Sequence, residues 1–279
     1  MKREIYNLIK KTSTILPSDV CEVLKSAQKK EEKGSSASET LENILKNIEI
    51  AAKRERPLCQ DTGTITFFVK APKHIRNKDF VKSAESAIIE ATKDGFLRQN
   101  SVCPITGKNS GNNLGPGNPR IYWEETEGKE MQIELLLKGG GCENVCHQYS
   151  LPDTSLNAGR DFCGVRKCIL DAVVRAQGRG CAPGILSVIV GGDRSSGYSH
   201  GKKLFLRKMG ERSLIPELAK LEQDILSTAN SLGIGPMGLG GKTTLLDVFI
   251  EGLNRVPASY FVTVNYMCWA CRRQTLIFQ

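Results

Sequence analysis

Apolar residues at helical spacing organise the first fifth of the chain. Leu41, Ile44, Leu45, Ile48, Ala51 and Ala52 recur every three or four positions, which is one face of a helix. Ser36 and Glu39 stand before them at capping-box spacing. Gly34-Ser35 separates this helix from an earlier one around residues 19–30, and Pro57 ends the helical section. Beyond it the pattern changes. Residues 65–69 read as a strand, and 79–92 as an amphipathic helix stopped by Gly95. Residues 109–119 are too rich in Gly and Asn for regular structure. Strands follow at 121–123 and 133–137, the second running straight into Gly139-Gly140-Gly141. Three glycines there imply tight backbone, or backbone brought close to a ligand. Phe162, Val165, Ile169, Ala172, Val173 and Ala176 mark a helix ended by Gly178. Residues 185–190 form a buried strand closed by Gly191-Gly192. Leu218, Leu221, Ile225, Leu226 and Ala229 mark a further helix, then come a glycine-rich loop at 233–241 and a late strand at 261–264.

The expectation is a single α+β domain over residues 1–279, helix-rich, around a mixed or antiparallel sheet, with residues 1–56 as its helical N-terminal section. Glycines cluster at strand ends, which suggests that one pocket gathers these loops. No internal repeat or low-complexity linker interrupts the pattern.

Composition narrows the class. With 40% hydrophobic and 25% charged residues, the chain reads as an ordinary globular protein. No apolar run reaches the roughly 18 residues that cross a bilayer, and the charged start lacks a signal-peptide core. A cytoplasmic protein is expected. In that reducing compartment the 10 cysteines read as metal ligands or packed thiols, not disulfides. The net charge of +9 is dispersed, and aromatics are only 6% without a basic stripe, so nucleic-acid binding is not favoured. A mild positive field does suit a dianionic substrate or an acidic partner.

The candidate chemistry lies in three cysteines beside turns: Cys59 in Pro57–Thr64, Cys181 in Gly180–Gly184 and Cys268 in Met267–Ala270. Only a fold could bring them together. Three thiolates without a fourth ligand would hold an iron–sulfur cluster with one iron open to a hydroxyl and a carboxylate, which suits adding or removing water. Asp61, beside Cys59 and Gln60, is a carboxylate placed for proton transfer, or one that merely hydrogen-bonds its own turn. Cys268-Trp269-Ala270-Cys271 also has CxxC spacing, and Cys142 and Cys146 could complete a zinc site, so a zinc-stabilised interaction module stays open. Gly240-Gly241-Lys242-Thr243-Thr244 imitates a phosphate loop, but the required first glycine is Pro236, so nucleotide binding is not expected. The loop could hold another anion if a helix began at Thr243. Arg98 could grip a carboxylate in bidentate fashion. His74, His147 and His200 lack metal-site spacing.

Taken together, these loops resemble the α-subunit of the class I fumarase and L(+)-tartrate dehydratase family of iron–sulfur hydro-lyases. The resemblance rests on Pro57–Thr64, Gly107–Asn113, Lys138–Asn144, Gly180–Gly184, Gly191–Arg194, Gly235–Thr244 and Pro257–Arg273, in that order. It implies a 4Fe–4S cluster held by Cys59, Cys181 and Cys268 rather than Cys271. It also implies a four-carbon dicarboxylate contacted by Gln60, Asp61, Arg98 and the Gly140 backbone, with Asp61 as acid–base residue and Lys242 a weaker contact. Fumarases of this kind take a further base and cationic residues from a second domain or subunit, which this chain leaves no room for. A separate β-subunit, in a heterotetramer, is therefore expected. One departure stands out: relatives commonly carry His where this chain has Val256. Valine neither binds a carboxylate nor relays a proton, which bears on the substrate and on activity, and a catalytically diverged subunit is the corresponding alternative.

Overall fold

A computed structural model of the chain describes residues 1–278. In chain order its elements begin with α1 (Lys2–Thr14), α2 (Ser18–Lys30), α3 (Ser36–Arg54), β1 (Thr64–Pro72), α4 (Asn77–Lys93), β2 (Arg120–Thr126), β3 (Met131–Lys138), α5 (Gly140–Asn144) and β4 (His147–Ser150). They continue with α6 (Phe162–Ala176), β5 (Gly184–Gly191), α7 (Arg194–Leu204), α8 (Pro216–Ser231), β6 (Leu245–Leu253), β7 (Phe261–Met267) and β8 (Arg272–Phe278). The class is α+β, as expected, and its strands form two mixed four-stranded sheets. None of the described helices is long and apolar enough to cross a membrane.

The chain divides into two compact units. Unit 1 takes Met1–Pro17, Lys46–Gly140 and the chain from Ala270. Its sheet runs β2-β1-β3-β8, with β1 parallel to β2 and antiparallel to β3. Alternation on β1 sends Ile65, Phe67 and Val69 into a core with Ile5, Ile9, Phe80, Ala84 and Ile88 of α1 and α4. Phe67 meets Phe80 edge to face at 5.7 Å. Each of the Ile, Val and Phe side chains among them, once fully buried, stabilises the unit by about 1.5–3 kcal/mol. The N-terminal helix α1 therefore serves as a core wall of this unit.

Unit 2 takes Ser18–Leu45 and Gly141–Trp269. Its sheet runs β4-β7-β5-β6. All eight residues of β5, Gly-Ile-Leu-Ser-Val-Ile-Val-Gly, are buried, so both faces of that strand must be covered. On one face β5 and β7 share a core with α6 and α8. On the other lies α7, whose sequence Arg-Ser-Ser-Gly-Tyr-Ser-His-Gly-Lys-Lys-Leu shows almost no helical periodicity. Its order comes from other features. Asp193 and Ser196 form a reciprocal capping box, and Gly197 and Gly201 let the helix sit against Thr263 and Asn265 of β7. Ser187 Oγ donates to the Gly201 carbonyl at 2.7 Å. The cap expected at Ser36 is displaced by one residue: Ser35 Oγ accepts the Ser38 N–H, because Gly34 at φ +78° turns the chain just before it.

Two buried carboxylates fasten the segment between α7 and α8 to the edge strand β6. Glu222 is fully buried and accepts from Arg207 Nη1 (2.9 Å), Ser213 N (2.9 Å) and Ile250 N (2.8 Å). Asp247 accepts from Arg212 Nη1 (2.6 Å), Gly210 N (2.7 Å) and Val248 N (2.9 Å). Removing one partner of such a buried pair leaves a desolvated charge and orphaned N–H groups behind. Glu222→Ala is expected to lower unfolding stability by about 3–5 kcal/mol in urea titration, and a loss below about 1 kcal/mol would contradict this role.

Candidate functional site

In unit 1 the chemistry-bearing loop is positioned through Leu58. Its side chain is buried, its N–H donates to the Ser13 carbonyl (3.0 Å), and its own carbonyl accepts from Asn47 Nδ2 (2.9 Å). Cys59 and Gln60 follow directly and are exposed. Asp61 is held at both oxygens. Oδ1 accepts the Gly63 N–H at 3.1 Å and Oδ2 accepts the Gly140 N–H at 2.7 Å. The clasp requires glycine. Gly63 has φ +84°, and a Cβ there would lie 2.6 Å from the Lys138 carbonyl carbon and oxygen. A Cβ at Gly139 would lie 2.8 Å from Asp61 Oδ2. The turn and the triple-glycine loop are thus built around one carboxylate, and the Gly140 N–H is committed to Asp61.

Thr62 links that turn to the arginine loop. Its buried Oγ1 accepts from the Arg98 N–H and from Asn100 Nδ2, both at 3.0 Å. Asn113, 2% exposed and at φ +63°, completes the brace. It donates to the Arg98 carbonyl (2.8 Å) and Thr92 Oγ1 (2.9 Å), and accepts from the Asn100 N–H (2.8 Å). Arg98 is held by its backbone alone. Its guanidinium is exposed and makes no hydrogen bond or ion pair with the described residues. An arginine fixed at the main chain and open at the fork can receive a carboxylate with two parallel hydrogen bonds.

In unit 2 the Cys181 loop and Cys268 meet around one ring. Tyr266 of β7 lies against Gly180 and Gly184, where any side chain would overlap it: Gly180 faces the Cδ1–Cε1 edge, Gly184 the Cζ–Oη tip. Cys181 sits between these glycines, at φ +56° and exposed. The opposite side of the loop is pinned by Met237 N–H to the Ala182 carbonyl (2.9 Å) and Gly184 N–H to the Thr244 carbonyl (2.9 Å). Burial raises the Tyr266 phenol well above its ordinary range, and the neighbouring Cys268, Cys142 and Cys181 raise it further. Its hydroxyl has no hydrogen-bond partner among the described residues.

All ten cysteines are unbridged. Cys142 and Cys146, which could have completed a zinc site, instead serve the backbone. Cys142 Sγ accepts the Cys268 N–H (3.3 Å), while Cys146 Sγ accepts the Tyr266 N–H (3.4 Å) and lies 3.1 Å from the Cys142 carbonyl. Burial pushes the Cys168 thiol up to about 12, as expected of a packed core thiol. Among the described residues, no three His, Cys, Asp or Glu side chains converge as a single ion requires. An iron–sulfur cube makes a different demand, since it takes each thiolate at a separate corner. Soft sulfur donors at Cys181 in its glycine turn and at Cys268 after β7, with a buried hydroxyl nearby that has no partner among the described residues, fit such a group.

The glycine-rich loop ending at Lys242 leads into strand β6, not a helix. The Lys242 N–H donates to both oxygens of Glu31, at 3.0 and 2.9 Å, and Glu31 is buried at the end of α2. A carboxylate of the same chain therefore occupies the anion-binding backbone of the loop. The Lys242 side chain is exposed. Val256 is 65% exposed, in a loop whose carbonyls are held by Arg160 and Arg255. Sequence reasoning missed Thr62, Asn113, Tyr266 and Glu31. Thr62, Asn113 and Tyr266 lie inside or beside stretches that the sequence singles out, while Glu31 carried no local signal.

The family model described as fumarate hydratase (Fumerase) matches residues 2–277. A Geobacillus stearothermophilus protein, provisionally named class I fumarate hydratase, is 47% identical over 272 residues; these are 96% of this chain but 53% of that protein. The chain thus spans about half the length of that relative. A Methanocaldococcus jannaschii protein, provisionally named L(+)-tartrate dehydratase subunit alpha, is 37% identical over 96% of this chain and 94% of its own length. The L(+)-tartrate dehydratase subunit alpha of Escherichia coli O157:H7 is 33% identical over 98% of this chain and 89% of its own. The loops that build the site lie within the matched stretch, and the chain belongs to the fumarate hydratase (Fumerase) family.

Proposed function

We propose that this chain is the α-subunit of a two-subunit, cytoplasmic 4Fe–4S hydro-lyase. It would hydrate and dehydrate a four-carbon dicarboxylate: fumarate and malate, or tartrate on the way to oxaloacetate. The observation that carries this reading is the pair of cysteine turns around Tyr266, in stretches shared with relatives named for these two activities.

In this reading Cys181 and Cys268, with Cys59 from the exposed turn before Asp61, hold the cluster. When bound, the cluster supplies a Lewis acid that polarises the carbon–oxygen bond made or broken. Asp61 holds or releases the proton of the departing or entering water. Its orientation is fixed in advance by the Gly63 and Gly140 N–H groups, so no ordering is needed during the reaction. The open Arg98 fork grips one substrate carboxylate and the Gln60 amide orients another polar group. Gly140 contributes through Asp61, since its N–H is already committed. Lys242 contributes only through its exposed side chain, because Glu31 holds its N–H.

The subunit names of the two tartrate dehydratase relatives support a separate β-subunit that supplies the second proton-transfer group. A heterotetramer of two α- and two β-chains is the assembly proposed.

Cys181→Ala is expected to abolish iron and sulfide uptake in anaerobic reconstitution, while Cys271→Ala retains most of it; equal loss in both would overturn the ligand assignment. Asp61→Asn, assayed with the β-subunit by the fumarate double-bond absorbance, is expected to keep its iron. Its kcat should fall about 10²–10⁴-fold. An undiminished rate at equal iron content removes Asp61 from the chemistry. Zinc without sulfide in anaerobically purified protein would overturn the hydro-lyase reading as a whole.

A further inference from the structure

Tyr266 is a buried side chain whose polar end lies at the Gly184 end of the Cys181 turn. The residue is 3% exposed, and its hydroxyl has no hydrogen-bond partner among the described residues. A phenol oxygen taken out of water without a partner costs free energy, and phenylalanine would fill the same space without that cost. Retaining the hydroxyl therefore calls for a partner that arrives later.

The surroundings identify the chemistry of that partner. The ring lies flush beneath the turn that carries Cys181, with Gly180 along its edge and Gly184 over its tip. Two positions further along the chain comes Cys268, and Cys142 is the third neighbour. The Cys142 sulfur accepts the Cys268 N–H, and the Tyr266 N–H goes to Cys146. No carboxylate or histidine is among the groups acting on the phenol. A donor in a thiol-lined stretch, whose hydroxyl meets no partner among the described residues, is suited to a sulfur that arrives with the bound group.

We propose that the Tyr266 hydroxyl donates an O–H···S hydrogen bond to a sulfur of the bound iron–sulfur group, either an inorganic sulfide or the Cys181 or Cys268 thiolate. This inference rests on the iron–sulfur reading above and makes Tyr266 a positioning residue of the cluster. Hydrogen bonds to cluster sulfurs withdraw negative charge and stabilise the reduced form. The phenol also excludes water from that face of the loop, because its ring fills the space that the two glycines leave.

The test compares the full chain with Tyr266→Phe, each reconstituted anaerobically with ferrous iron and sulfide. Both are expected to take up iron and sulfide. The variant's ring carries no donor, so its cluster is expected to show a lower reduction potential. The iron–sulfur stretching bands in its resonance Raman spectrum should be insensitive to deuterated solvent where those of the parent chain shift. Before loading, the variant is expected to melt no lower than the parent, since it loses an unpartnered hydroxyl. Equal potentials and identical Raman behaviour in two loaded proteins would overturn the inference and leave the cofactor reading standing. A spectral difference seen only after adding dicarboxylate would also overturn it, by assigning the hydroxyl to substrate. A parent chain that takes up no iron and sulfide would overturn both readings together.

Discussion

A tyrosine ring pressed against bare backbone is the contact on which the cysteine turns of unit 2 depend. Tyr266 can lie under the 180–184 loop only because both ends of that loop are glycine. With the ring in place, Cys181 is held in a left-handed backbone conformation that a free loop would leave. The same strand then delivers Cys268. One aromatic side chain thereby fixes two sulfurs that lie 87 positions apart in the chain. Their order comes from packing and not from a disulfide or a short motif.

Unit 1 solves the matching problem with hydrogen bonds. Asp61 has a backbone donor for each oxygen, and Thr62 and Asn113 tie the arginine loop to the same turn. The guanidinium of Arg98 is left out of this network, although its own N–H and carbonyl are both within it. Such an arrangement separates rigidity from reactivity: the main chain is fixed while the charged end stays open. Preorganisation of this kind spares a reaction the cost of arranging its groups at the barrier.

Much of this was legible in the sequence, and what was missed has a physical cause. Helical spacing located α3, α4, α6 and α8, because each buries a regular apolar stripe. It missed α7, where the contact side consists of Gly197 and Gly201, small residues that a hydrophobicity pattern cannot register. The strand β8 was missed because it opens on Arg272 and Arg273, which are buried against expectation for charged side chains. Cysteine and glycine positions drew attention to the loops that clasp Asp61 and lie against Tyr266. The roles of Thr62, Asn113 and Glu31 were not readable because they lie in partners 36, 15 and 211 positions away.

Glu31 gives the loop before β6 a particular character. The segment has the composition of a phosphate cradle, yet its counter-charge is part of the same polypeptide. Tethering holds that carboxylate at a local concentration far above that of any dissolved phosphate in a cell. Resemblance to a nucleotide-binding pattern is here a sign of self-sealing: a short helix end closes a glycine turn, and the turn becomes a fastening between distant parts of one unit.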